Sequence, residues 1–144
     1  LGLWILTLGF LGFFFIKGYT QKSTDNRQEV MLSPSERDLV LGEMRQLLNS
    51  VSGILNGLVE NDLVKVENSA RAGGMQMAQD VNPMLMGKLP SAFKGMGMGV
   101  HKALDDLADA LKQNKDPQDV MKRVAKITQT CVACHAVYRL SLEK

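Results

Sequence analysis

Sulfur and imidazole groups suited to specific chemistry are scarce in this chain. Its 144 residues include two cysteines and two histidines. Both cysteines lie in "TCVACHAVYRL", Thr130 to Leu140, so no further pair remains for a disulfide elsewhere. A structural zinc site would need two ligands beyond a Cys-x-x-Cys, and outside this stretch the chain has His101 and no cysteine. Charge of one sign is lacking too. Seventeen basic residues against 15 acidic leave a net +2, which is not the basic footprint of a nucleic-acid binder. Aromatics make up 6%, mostly before residue 20, so the rest is poor in strand formers and rich in Leu, Met, Ala and Lys. No acid–base pair or nucleophile constellation stands out, which argues against an enzyme in its own right.

One absence is local. "LGLWILTLGFLGFFFI" carries no charge before Lys17. These 16 residues fall short of the roughly 20 that span a bilayer. No Ala-x-Ala-like site follows Ile16, which disfavours a cleaved signal peptide. Trp4 and Tyr19 suit the two interfaces. Residues 1–19 are therefore expected to form a retained, single-pass transmembrane anchor. Residues 20–32 are polar and without period, and read as a linker.

Residues 33–144 carry four helical patterns. "SPSE" supplies Ser33 as N-cap, Pro34 at the first helical position and Glu36 for a capping box. The stripe behind it is Leu41, Met44, Leu48, Val51, Leu55 and Leu58. A second helix is expected from about Asp62 to Val81, through Leu63, Val66, Ala70, Gly73 and Met77. Gly73-Gly74 in its middle implies a close approach of another backbone or a bulky group. Pro83 and Pro90 bracket a turn. The third helix runs from Pro90 to Gln113 over Phe93, Met96, Val100, Leu104, Leu107 and Leu111. The fourth follows Asp116-Pro117 to about Leu142, over Val120, Val124, Ile127, Cys131, Cys134 and Tyr138. The whole predicts an all-α fold: an antiparallel up-down-up-down four-helix bundle with an N-terminal transmembrane helix.

On the fourth helix Cys131 and Cys134, at i and i+3, share a face. Two thiols so placed can add to the two vinyl groups of one haem, and His135 can then bind the iron. Because the cysteines continue the core stripe, the haem would lie inside the bundle.

"CVACHAVYR" near the C-terminus of a four-helix chain resembles the class II c-type cytochromes, the cytochrome c-prime family, over residues 33 to 144. The resemblance implies one covalent haem c on Cys131 and Cys134, with His135 as iron ligand. It also implies that Tyr138 and Arg139, an aromatic and a base at the third and fourth positions after the histidine, lie beside the haem. Haem attachment of this type implies a bacterial inner-membrane protein with its haem domain on the periplasmic side. The resemblance further implies redox partner proteins and pairing into a homodimer through the first two helices.

Nothing after His135 supplies an imidazole or thioether, so a sixth ligand would come from upstream. Counting 1.5 Å per residue along antiparallel helices puts Leu41, Met44 and His101 within roughly a turn of the level of His135. Met44 is favoured, being on the core stripe; Leu41 would leave the iron open, and His101 would give a bis-histidine iron. Six of the nine methionines form Met-x-Met pairs at 75/77, 84/86 and 96/98. Copper(I) is one reading, but helical residues two apart point to different sides, so core filling is preferred. The leading expectation is an anchored single-electron carrier. The alternatives are a five-coordinate binder of NO or CO, and an accessory haem subunit of a larger membrane redox complex.

Overall fold

The computed structural model describes residues 2–79 and 82–143. The outer limits Leu1 and Lys144, and the end of the second expected helix at Val81, lie outside the described residues. The chain is predominantly helical: α1 (Gly2–Lys17), α2 (Pro34–Val59), α3 (Leu63–Ala72), α4 (Pro83–Lys88), α5 (Ser91–Ala110) and α6 (Pro117–Val137). Three short strands accompany them: β1 (Thr20–Lys22), β2 (Gln28–Leu32) and β3 (Tyr138–Leu142).

Local chemistry sets the helix starts. The Ser33 hydroxyl accepts from the Glu36 amide while the Glu36 carboxylate accepts from the Ser33 amide, closing the capping box. At α3 and α6 the Asp62 and Asp116 carboxylates cap one way, accepting from the Lys65 and Gln118 amides. At the end of α2, the Asn61 amide donates to the Leu58 carbonyl and the Asp62 amide to the Gly57 carbonyl. Asn61 sits at φ 56°, completing the left-handed cap that reverses the chain into α3.

α2 packs on α3, α3 on α5, and α5 on α6. The first contact corrects the α2 stripe. Leu48 is 68% exposed and Leu55 38%, whereas Ser50, Ile54 and Gly57 are buried. Small residues form the contact. A Cβ on Gly57 would stand 2.8 Å from Val66 Cγ2, and one on Gly53 would collide with Ser69. Antiparallel backbones approach that closely only without those side chains; Leu48 and Leu55 are rotated outward, whereas Met44, Val51 and Leu58 of the expected stripe pack against the apolar clusters.

The second expected helix is cut short. It ends at Ala72 and continues, after Gly73-Gly74, as a 3₁₀ turn at Met75–Ala78. The close approach read from the glycine pair is present: a Cβ at Gly73 would lie 2.7 Å from Leu104 Cδ1 and from Ser50 Oγ. The Asp105 carboxylate occupies the space beside Gly74, accepting from the Met75 amide at 2.8 Å.

The largest departure is the sheet. Residues 20–32, expected to be a linker, form β1 and β2, paired antiparallel through Thr20↔Val30. The fourth helix stops at Val137 rather than Leu142, and Tyr138–Leu142 pairs parallel with β2 from Gln28↔Tyr138 to Leu32↔Leu142. Val30, Leu32 and Tyr138 are buried there. Burial of these side chains, with the ladder hydrogen bonds, outweighs a further turn of helix.

Two apolar clusters result. One joins Ile54, Val66, Leu104, Leu107, Val120 and Ile127; the other joins the sheet residues Val30 and Leu32 to Val40, Leu85, Phe93 and Tyr138.

α1 forms as expected, and its residues are all exposed. Among the described residues, however, no helix is long and apolar enough to cross a membrane. Its 16 residues span about 24 Å against a hydrocarbon core of about 30 Å, so the structure does not support the expected transmembrane helix. At its end Gly18, at φ 64°, passes against the backbone of Lys88 to Pro90, and the Tyr19 amide donates to the Lys88 carbonyl at 2.8 Å.

Candidate functional site

The Cys-x-x-Cys-His stretch occupies the last turns of α6 and straddles the two clusters. Cys131 packs against the first and Cys134 against the second. Both thiols are free and half-buried. Burial pushes both up from the ordinary thiol range, and the Cys131 sulfur adds to the rise at Cys134, so both are protonated at neutral pH. His135 is exposed.

Beside this turn lies an open cleft of about 200 Å³. Cys134, His135, Tyr138 and Arg139 form one wall, and Leu41 and Met44 of α2 face them. The structure thus brings together all of the sequence-derived site residues except two. Cys131 lies one turn back, against the first cluster. His101 lines a second, smaller cavity that shares only Phe93 with the cleft. Its Nδ1 lies 2.7 Å from the Gly73 carbonyl. Counting residues along the helices sets His101 near the level of His135, but the structure places its side chain in the other cavity.

Four further residues line the cleft: Phe93, Leu140, Arg27 and Arg37. Arg37 was legible in principle, since it precedes Leu41 by four and Met44 by seven, on one helix face. Arg27 was hidden by the linker reading. It reaches the site because β2 pairs with β3, and its Nη1 donates to the His135 carbonyl at 3.2 Å. The Phe93 and Tyr138 rings meet edge to face, with centroids 5.4 Å apart. Burial, with a smaller contribution from Cys134, raises the Tyr138 phenol.

Arg27 and Arg139 are already paired. Arg139 lies 3.7 Å from Asp25 and 3.6 Å from Glu29, and its Nη1 donates to the Ser23 hydroxyl at 3.3 Å. Arg27 binds Asp25 at 2.7 Å. The Arg27 side chain, helped by Ser23, holds the Asp25 carboxyl well below the carboxylate range. Glu29 is lowered by a hydrogen bond from Gln21, with Arg139 contributing.

The donor set suits a haem c: two thiols at i and i+3, an adjacent imidazole, apolar walls from Leu41, Met44, Phe93 and Leu140, and guanidinium groups at the rim for carboxylates. The volume is below the roughly 300 Å³ at which ligand pockets begin. Seating a tetrapyrrole as far as Cys131 therefore requires the α2 and α6 side chains to part. Among the described residues no cluster of three or more His, Cys, Asp or Glu forms a conventional metal site. No family model, curated protein or solved structure matches this chain, so the likeness to the class II c-type cytochromes rests on the residues themselves.

Proposed function

We propose that this chain is a membrane-attached mono-haem c-type cytochrome that carries single electrons between redox partner proteins. One observation carries the reading: Leu41, Met44, Cys134, His135, Tyr138 and Arg139 border a single cleft. In this reading α2, α3, α5 and α6 are the up-down-up-down bundle, with the site between α2 and α6. Cys131 and Cys134 form the two thioethers and His135 supplies the proximal imidazole. The bound haem provides a one-electron iron centre that covalent attachment keeps from being lost. Leu41, Phe93 and Leu140 exclude water from it, and Arg27, Arg37 and Arg139 face its carboxylates. α1, apolar and exposed, inserts into the bacterial inner membrane and holds the haem domain on the periplasmic side, near electron-transfer partners or as a subunit of a larger redox complex.

Met44 is the proposed sixth ligand. The reduced protein should then be low-spin and indifferent to CO, and Met44→Ala should turn it high-spin and CO-binding. His101→Ala should leave the spectrum unchanged, because His101 faces the other cavity. Leu41, from the same cleft wall, is the observation behind the second reading, a five-coordinate binder of NO or CO. A wild-type protein that is already high-spin and takes up CO would establish that reading in place of electron transfer.

A further inference from the structure

The smaller cavity, about 60 Å³, plays no part in the haem reading. It exceeds the roughly 10–15 Å³ that one water needs and is far below the roughly 300 Å³ of organic-ligand pockets, so its size suits an ion. His101, 4% exposed, lines it together with Glu43, Met86 and Met98. The Gly73 carbonyl can only accept, so the His101 Nδ1 facing it at 2.7 Å carries the proton. In the neutral ring the lone pair is then on Nε2, which has no hydrogen bond among the described residues. A carbonyl that fixes the tautomer and orients the ring is the usual support behind a metal-ligating imidazole.

We propose that His101, Met86 and Met98 bind one Cu(I) ion in this cavity. The Met-x-Met pairs acquire a meaning here that neither has alone. Residues two apart on a helix diverge: Met84 is 72% exposed and Met96 packs into the sheet-side cluster. One member of each pair, Met86 from α4 and Met98 from α5, reaches the same cavity. Two thioethers and an imidazole are a soft set that selects Cu(I) over zinc, magnesium or calcium. Charge points the same way. Lys94 also lines the cavity, its Nζ donating to the Met86 carbonyl at 3.1 Å and lying 4.1 Å from the Phe15 ring centroid. The Glu43 carboxylate offsets the Lys94 ammonium, so the cavity carries little net charge, and burying a monovalent ion there costs less desolvation than burying a divalent one.

The test uses the full chain in detergent, with accessible thiols blocked by N-ethylmaleimide so that neither cysteine supplies a thiolate. The outcome is then independent of whether Cys131 and Cys134 carry haem. Cu(I) is titrated anaerobically against a chromophoric Cu(I) chelator, with X-ray absorption at the copper edge. One Cu(I) per chain, with sulfur and imidazole scatterers, is expected. Met86→Leu/Met98→Leu should weaken binding by more than the roughly 10–100-fold typical of losing an outer-shell partner. Met84→Leu/Met96→Leu, the other halves of the same pairs, should bind as wild type. Met-to-Leu exchange conserves volume, and circular dichroism confirms that both variants are folded. No copper uptake by the wild type, equal loss in both double variants, or a copper spectrum without sulfur would each overturn the site.

Discussion

Arg139 is the residue whose role changes most between sequence and structure. The family likeness sets it beside a haem, and the structure also ties it to Asp25 and Glu29 on the β1–β2 side. Arg27, with Ser23, lowers the Asp25 carboxyl, and Gln21, with a smaller share from Arg139, lowers Glu29. A depressed carboxyl contributes stability that is fully present above its unfolded value, about 3.9 for Asp and 4.3 for Glu, and is lost as pH falls through the folded value. The urea midpoint should therefore be flat from pH 8 to 5 and fall below about pH 4. In Asp25→Asn/Glu29→Gln that acid limb should be shallower. An equally steep limb in the double variant would show that other groups drive acid unfolding.

Single helices yield a contrast between glycines. In α2, an added methyl at Gly57 would stand 2.8 Å from Val66 and 3.0 Å from the Asp62 carbonyl oxygen. Overpacking of that kind costs about 1–3 kcal/mol, more than the roughly 0.5–1 kcal/mol that alanine gains in a helix. Gly57→Ala should destabilise the fold. Gly99→Ala, with nothing within 4 Å of its added methyl, should stabilise it by about 0.5–1 kcal/mol. Paired thermal melts check both, and the opposite order would refute the close α2–α3 contact. Ser33→Ala should cost about 1 kcal/mol through loss of the α2 cap. Such elements explain what the sequence makes legible. Caps at Ser33, Asp62 and Asp116 are local chemistry, and helix starts could be read from them. The stripe of α5 was legible because its large residues are the buried ones. The face of α2 was legible only in part: Met44, Val51 and Leu58 pack inward as their spacing implies, but small residues carry the contact with α3 and periodicity counts large ones. β3 was missed because Tyr138 extends the α6 stripe by four, while its alternation in "YRLSL" is only five residues long. Its partner β2 lies more than a hundred residues earlier, a pairing that no local pattern reports. At the site, the Cys-x-x-Cys-His spacing and the α2 wall were readable, whereas Arg27 depended on that pairing.

The whole molecule combines a packed helical domain with an apolar helix outside it. α1 buries none of its residues and meets the domain mainly through α5 and the Gly18–Tyr19 corner. Removing residues 1–17 should therefore leave the cooperative melt of the rest nearly unchanged while abolishing flotation with lipid vesicles. Flotation of the truncated chain, or loss of its melt, would contradict the separation of α1 from the domain. Covalent attachment of one haem to Cys131 and Cys134 can be read from the mass of the chain. The full chain is produced in a bacterium with c-type haem maturation, extracted with acidified acetone and weighed intact. The denatured chain should be heavier by one haem, with the added mass on the peptide spanning Cys131 to His135 and absent from Cys131→Ala/Cys134→Ala. A wild-type chain at the mass of its polypeptide alone would contradict it.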